Sequence, residues 1–166
     1  EEFDNTSSSD ASSAITTSTF SNFSGATDKA YKSKHGGLKF GSSSASGYIT
    51  TKSLDLSTAF TVALDVRAYG STSSDGGDVY VQVADDDGTK QLIEDDDLSI
   101  SEFRHFELSF SAATSSSAIE IGTTSKRAYI DNVVITAGSG SSYSNYATSC
   151  EIPENVTVKF DANGGE

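Results

Sequence analysis

The chain has no tryptophan and no methionine, one cysteine, one proline and two histidines among its 166 residues. Each scarcity closes something off. A lone thiol, Cys150, permits no intramolecular disulfide. It lies in a polar stretch, NYATSCEIPE, with no matching cluster of ligands, and reads as incidental. His35 and His105 are too few and too far apart in sequence for a histidine-based metal centre. Positive charge is short as well: 11 Lys and Arg stand against 24 Asp and Glu, for a net charge of −13 and a pI near 4.3. Nucleic acid and anionic membranes both need a positive surface, so neither is the expected partner. The same balance suits an exported protein and the binding of divalent cations by spare carboxylates. No apolar run approaches the roughly 18 residues that span a bilayer. The opening, EEFDNTSSSD, is polar and carries no leader, so the sequence is expected to be mature protein or a piece of something longer.

What the chain does contain is alternation. In AFTVALDVRAY the residues Phe60, Val62, Leu64, Val66 and Ala68 fall on one face of a strand. DVYVQVA does the same with Val79, Val81 and Val83, FRHFELSFS with Phe106, Leu108 and Phe110, and AIEIG with Ile119 and Ile121. Weaker strands are expected in TSTFSNF, GLKFG and GYITTKSLDLS, and KQLIE reads as the return of a hairpin after the turn DDDG. No window holds apolar residues at helical spacing. Short alternating runs separated by Gly, Ser and Asp clusters predict an all-β fold, a jelly-roll β-sandwich of two antiparallel sheets with roughly eight to ten strands.

RAYIDNVVIT, residues 127–136, fits this scheme badly. Strict alternation puts Tyr129, Asp131, Val133 and Ile135 on one face and Ala128, Ile130, Asn132, Val134 and Thr136 on the other. One face carries a carboxylate and the other an amide. A buried charge needs a partner, so Asp131 must find one, cap a backbone group or sit at a bulge.

After Thr136 the composition shifts to AGSGSSYSNYATSCEIPE, Gly- and Ser-rich and aperiodic. The expected organisation is a sandwich over 1–136, a flexible linker over 137–154 and the first strand of another module over 155–166.

Catalysis finds little support. A glycosidase needs two carboxylates across a cleft, and Asp65, Glu107 and Glu120 are candidates with no means of pairing them from sequence. No Gly-x-Ser-x-Gly elbow supports a serine nucleophile. The acidic clusters SDGGD, DDDG and EDDDL lack the ordered spacing of an EF-hand loop and read as turns whose charges keep sheet edges apart. A sugar site offers aromatic faces flanked by hydrogen-bonding groups. The outward positions Asp65, Arg67, Tyr69, Tyr80, Gln82, Phe103, His105 and Glu107 form one such patch if their strands are neighbours. The absence of Trp, a common stacking platform, counts against it.

Two resemblances add to this. NVTVKFDANGGE is similar to the opening of the Listeria–Bacteroides, or internalin B-type, repeat, which implies an exported multi-domain parent. EEFDN, SKHGGLKFGSSSASGYITTKSLDLS and AYIDNVVIT together resemble the jelly-roll carbohydrate-binding modules and bacterial surface adhesin domains. That resemblance implies a non-catalytic binding or adhesion module of a secreted or cell-surface protein, a glycan or a host or cell-surface component as partner, and a monomer within a longer chain. It also implies a structural Ca²⁺ held by Asp131, by Asp4 or Glu2, and by backbone carbonyls around His35 to Gly37. The alternatives are a spacer with no ligand and a protein-binding adhesin.

Overall fold

The computed structural model describes Phe3, residues 9–70 and residues 75–138. Among the described residues ten strands form two five-stranded sheets, and the only helical pieces are two 3-10 turns, Asp87–Thr89 and Asp95–Asp97. Both turns fall in the acidic clusters. In the first, the Asp86 side chain accepts from the Gly88 amide, the local bond that makes Asp a turn former.

The front sheet has the order β1 (Thr27–Asp28), β4 (Tyr48–Thr50), β9 (Ile119–Thr123), β6 (Val79–Val83), β7 (Gln91–Ile93). The back sheet has the order β2 (Ala30–Lys32), β3 (Leu38–Phe40), β10 (Ala128–Ala137), β5 (Phe60–Ala68), β8 (Arg104–Phe110). Every neighbouring pair is antiparallel. This is the predicted jelly-roll sandwich. Two of its strands, β1 and β2, come from a stretch that has no alternation to announce them. TSTFSNF forms no strand; it packs instead as turns, with Phe20 and Phe23 against Phe3 at ring-centroid distances of 5.0 and 5.3 Å.

The core lies between the sheets. Phe60, Val62, Leu64, Val66 and Ala68 from β5 meet Val79, Val81 and Val83 from β6, and Ile119 and Ile121 from β9, all buried. The Phe60 and Phe110 rings stack at 5.0 Å across β5 and β8. Truncating a fully enclosed member such as Leu64 to Ala is worth about 2–5 kcal/mol.

The awkward strand is resolved by one residue. Asp131 pairs with Asp65, but the next pair is Val134 with Ala63. Two residues of β10, Asn132 and Val133, therefore stand against the single Leu64, which defines a β-bulge. Asn132 takes a left-handed backbone with φ +51°, a conformation Asn tolerates better than most residues. The alternation changes sides there. Ala128 and Ile130 point inward before it, Val133 and Ile135 after it, and Val134 is left 53% exposed. The half after the bulge is thus amphipathic, while before it the outward Tyr129 is covered as well.

Candidate functional site

The expected patch divides between two faces. Asp65, Arg67, Tyr69, His105 and Glu107 share the outer side of the back sheet, because β5 and β8 are neighbours. Tyr80 and Gln82 do not join them: β6 belongs to the front sheet and turns them to the opposite side of the molecule. Parity told which residues face out, but strand order decides which sheet carries them. Phe103 precedes β8 and is half-buried.

On the back face the aromatic residues are already engaged. Tyr69 stacks on Tyr129 at 5.5 Å, and the Arg127 guanidinium lies 3.8 Å from the Tyr69 centroid. His35 meets Tyr129 edge-on at 4.9 Å. Arg67 Nη2 donates to the Ile100 carbonyl at 2.7 Å. Tyr129 is buried, and burial followed by the Asp10 charge pushes its hydroxyl well above the ordinary phenol range. A ring packed on both sides offers no face to a sugar, so this end of the sheet is structural.

The front face is built differently. Tyr48 and Tyr80 both pair with Gly122, from β4 and β6 on either side of β9. A Cβ on Gly122 would lie 2.7 Å from the Tyr80 hydroxyl and 2.7 Å from the Tyr48 Cβ. The Tyr80 side chain therefore leans across β9 and rests over the glycine instead of standing upright on the sheet. Its hydroxyl donates to Glu120 Oε1 at 2.8 Å, and Gln82 Nε2 donates to the same oxygen at 3.1 Å. Burial raises the Tyr80 hydroxyl well above the phenol range, and its bond to the Glu120 carboxylate raises it further; it stays a donor at neutral pH. Gln82 is 6% exposed, and its Oε1 has no partner. Lys90 Nζ sits 5.0 Å over the Tyr80 ring and 3.1 Å from Asp87 Oδ1, and Leu92, across β7 from Tyr80, is half exposed. The result is a low aromatic platform with a carboxylate, an amide and an ammonium at its margin.

Sequence reasoning found Tyr80 and Gln82 here but not Tyr48, Gly122 or Lys90, and it weighed Glu120 only as an acid catalyst. That pairing cannot form with Asp65 or Glu107, which face the other side. The one available signal was GYITT, whose Tyr48 shares outward parity with Thr50.

Asp131 lies between the N-terminal residue Phe3 and the glycine loop at 36–37. Its Oδ1 accepts the Phe3 amide at 3.0 Å and the Asn132 amide at 2.8 Å. The glycine loop presses on it: a Cβ on Gly36 would lie 3.6 Å from Asp131 Oδ2, and one on Gly37 would lie 2.2 Å from the Ile130 carbonyl oxygen. Ca²⁺ takes six to eight oxygens. Asp131 Oδ2 is one donor, and the Gly37 carbonyl already accepts from the Ser33 amide at 3.1 Å. Glu2 and Asp4 lie outside the described residues, as do the linker beyond Gly138 and the repeat-like segment. Among the described residues no group of three His, Cys, Asp or Glu side chains is placed to hold a metal. A calcium shell here would depend on Glu2 and Asp4.

No family model and no curated protein matches the chain. Among solved structures it is similar to a xylan-binding module, CBM15, at 14% identity and a TM-score of 0.49, over 71% of this chain and 89% of that one. It is also similar to TmCBM27, a carbohydrate-binding module studied for specific mannan recognition, at 15% identity and a TM-score of 0.37, over 68% of this chain and 86% of that one. Likenesses of this size do not bear on which ligand the chain takes.

Proposed function

We infer that this domain is a non-catalytic glycan-binding module that stacks a sugar ring on Tyr80 of the front sheet. The observation that carries this is the Tyr80 side chain lying low across Gly122, its hydroxyl tied to Glu120. A pyranose presents an apolar face to such a ring and hydroxyls to its margin. Glu120 accepts hydroxyl protons, and Lys90 donates. Lys90 covers the ring in the free protein, yet its bond to the exposed Asp87 is worth little, so a ligand displaces it at small cost. Export to a bacterial surface or the medium, within a longer chain, fits the acidic composition. The calcium belongs to the same proposal, with a structural role, held by Asp131 Oδ2, carbonyls of the 35–37 loop, Glu2 and Asp4.

A glycan array probed with the 166-residue chain, followed by calorimetry with the best hit, tests the site. Binding to one glycan family that falls at least tenfold in Tyr80→Ala, with the fold intact by circular dichroism, is the expected result. Silence from folded protein across a broad array would turn the assignment to a spacer. Binding unchanged in Tyr80→Ala would move the site to another face.

A further inference from the structure

The geometry points to a second site: His105 and Glu107, on the outer face of the back sheet, form a two-ligand site for a divalent transition ion of the zinc type. It lies on the opposite sheet from Tyr80 and is independent of the glycan assignment. His105 Nδ1 is 2.7 Å from Asp65 Oδ1. The carboxylate accepts a ring proton at Nδ1, which leaves Nε2 as the ring atom available to a metal. Nε2 lies 3.8 Å from Glu107 Oε1, and a ring nitrogen and a carboxylate oxygen this close make a two-point bite for one cation.

A divalent ion fits the gap. Two ligands on one tetrahedral zinc, with bonds of about 2.1 Å, stand about 3.4 Å apart, so a closure of a few tenths of an ångström brings both within bonding distance. His and Glu on β8 are two residues apart and therefore share a face.

The support beneath the histidine is already in place. Metal-bound imidazoles donate their second N–H to a carboxylate, which fixes the tautomer and raises ligand basicity. Asp65 does this, and its other oxygen accepts from Asn132 Nδ2 at 2.6 Å. Asn132 is held there by the β-bulge of β10, so three adjacent strands orient one imidazole. Asp65 is 21% exposed while His105 is 59% exposed: the positioning carboxylate is sheltered and the ligand is open to solvent. Water fills the remaining coordination positions, which makes the site a surface ion site and leaves places for a ligand from another molecule. Soft ions that demand thiolates are disfavoured by this nitrogen and oxygen set, and Mg²⁺ and Ca²⁺ by the imidazole.

Calorimetric titration of the metal-stripped chain with Zn²⁺ tests this. A Cys150→Ser background removes the competing thiol. The expected result is one saturable site at micromolar Zn²⁺, abolished in His105→Ala, weakened in Glu107→Gln, and weakened about 10- to 100-fold in Asp65→Asn, which keeps both ligands but loses the orienting carboxylate. The His105 ring protons in the NMR spectrum should shift with Zn²⁺ and stay unmoved with Mg²⁺. Equal Zn²⁺ binding by wild type and His105→Ala, or no saturation below millimolar Zn²⁺, overturns the assignment.

Discussion

The Phe3 amide and the Asp131 carboxylate, 128 residues apart in the chain, meet at 3.0 Å. Phe3 is fully buried against Phe20 and Phe23, so this bond fixes the N-terminal segment to β10 at the point where the segment enters the core. It also separates a tether from an ion. Asp131→Asn keeps an acceptor oxygen and loses the charge; Asp131→Ala loses both. In chelator, Asp131→Ala should melt lower than wild type by an amount equivalent to about 1 kcal/mol, the cost of leaving the half-buried Phe3 amide without its acceptor, and Asp131→Asn by less. Calcium should then raise the melting temperature of wild type but of neither variant. Equal melting of wild type in calcium and chelator removes the ion and leaves the tether.

Gly122 tests the seat of Tyr80 from the other strand. Adding a methyl there puts carbon 2.7 Å from the Tyr80 hydroxyl, the Gly47 carbonyl oxygen and the Tyr48 Cβ. Gly122→Ala must therefore lift the ring from the sheet, break its bond to Glu120 and push on the backbone before β4, a cost that circular dichroism and the melting temperature read separately. Glycan affinity should fall about as far as in Tyr80→Ala, while Gly138→Ala leaves it unchanged; Gly138 has open space around it, though its φ of +91° carries its own strain. Full affinity in Gly122→Ala, measured by calorimetry, would show that the resting position of Tyr80 is not the binding position.

Much of the fold was legible because period-2 alternation reports burial directly: the inward residues of β5, β6 and β9 are all buried, and those of β8 are buried or packed against the core. The site was legible only in halves. Which outward residues share a face depends on strand order, and nothing local to DVYVQVA says that β6 pairs with β9 while β5 pairs with β8. The same limit hid Gly122, whose importance comes from two tyrosines on other strands. In RAYIDNVVIT the clue was present but ambiguous, since a bulge is one way among several to reconcile its two polar residues.

Asp95 carries a pH signature. Burial raises its carboxyl above the ordinary Asp value, and the neighbouring charges of Asp78 and Asp96 raise it further; its Oδ1 is buried without a partner. A carboxyl that holds its proton more tightly when folded contributes stability below its unfolded pKa and loses it as the pH climbs through the folded one. Ionised Asp95 is therefore a burden at neutral pH. Asp95→Asn should raise the melting temperature at pH 7, and this gain should shrink as the pH falls and vanish below 3.8, the unfolded value. A variant that melts with wild type at every pH would mean that solvent reaches the carboxylate freely.

Asn132 decides which side chains of β10 are inside. Its φ of +51° is strained for a β-branched residue by about 1–2 kcal/mol and free for glycine. Asn132→Gly should melt close to wild type, losing only an exposed bond to Asp65, whereas Asn132→Val should lose more than 1 kcal/mol. Deleting the residue is the sharper experiment. Asp131 is then followed directly by Val133, so strict alternation keeps Val133 and Ile135 inside and Val134 outside, and the extra residue and the bulge disappear together. The deletion should keep a cooperative thermal transition. A deletion variant that fails to fold would show that the sandwich needs the local bend of the bulge and not only its change of parity.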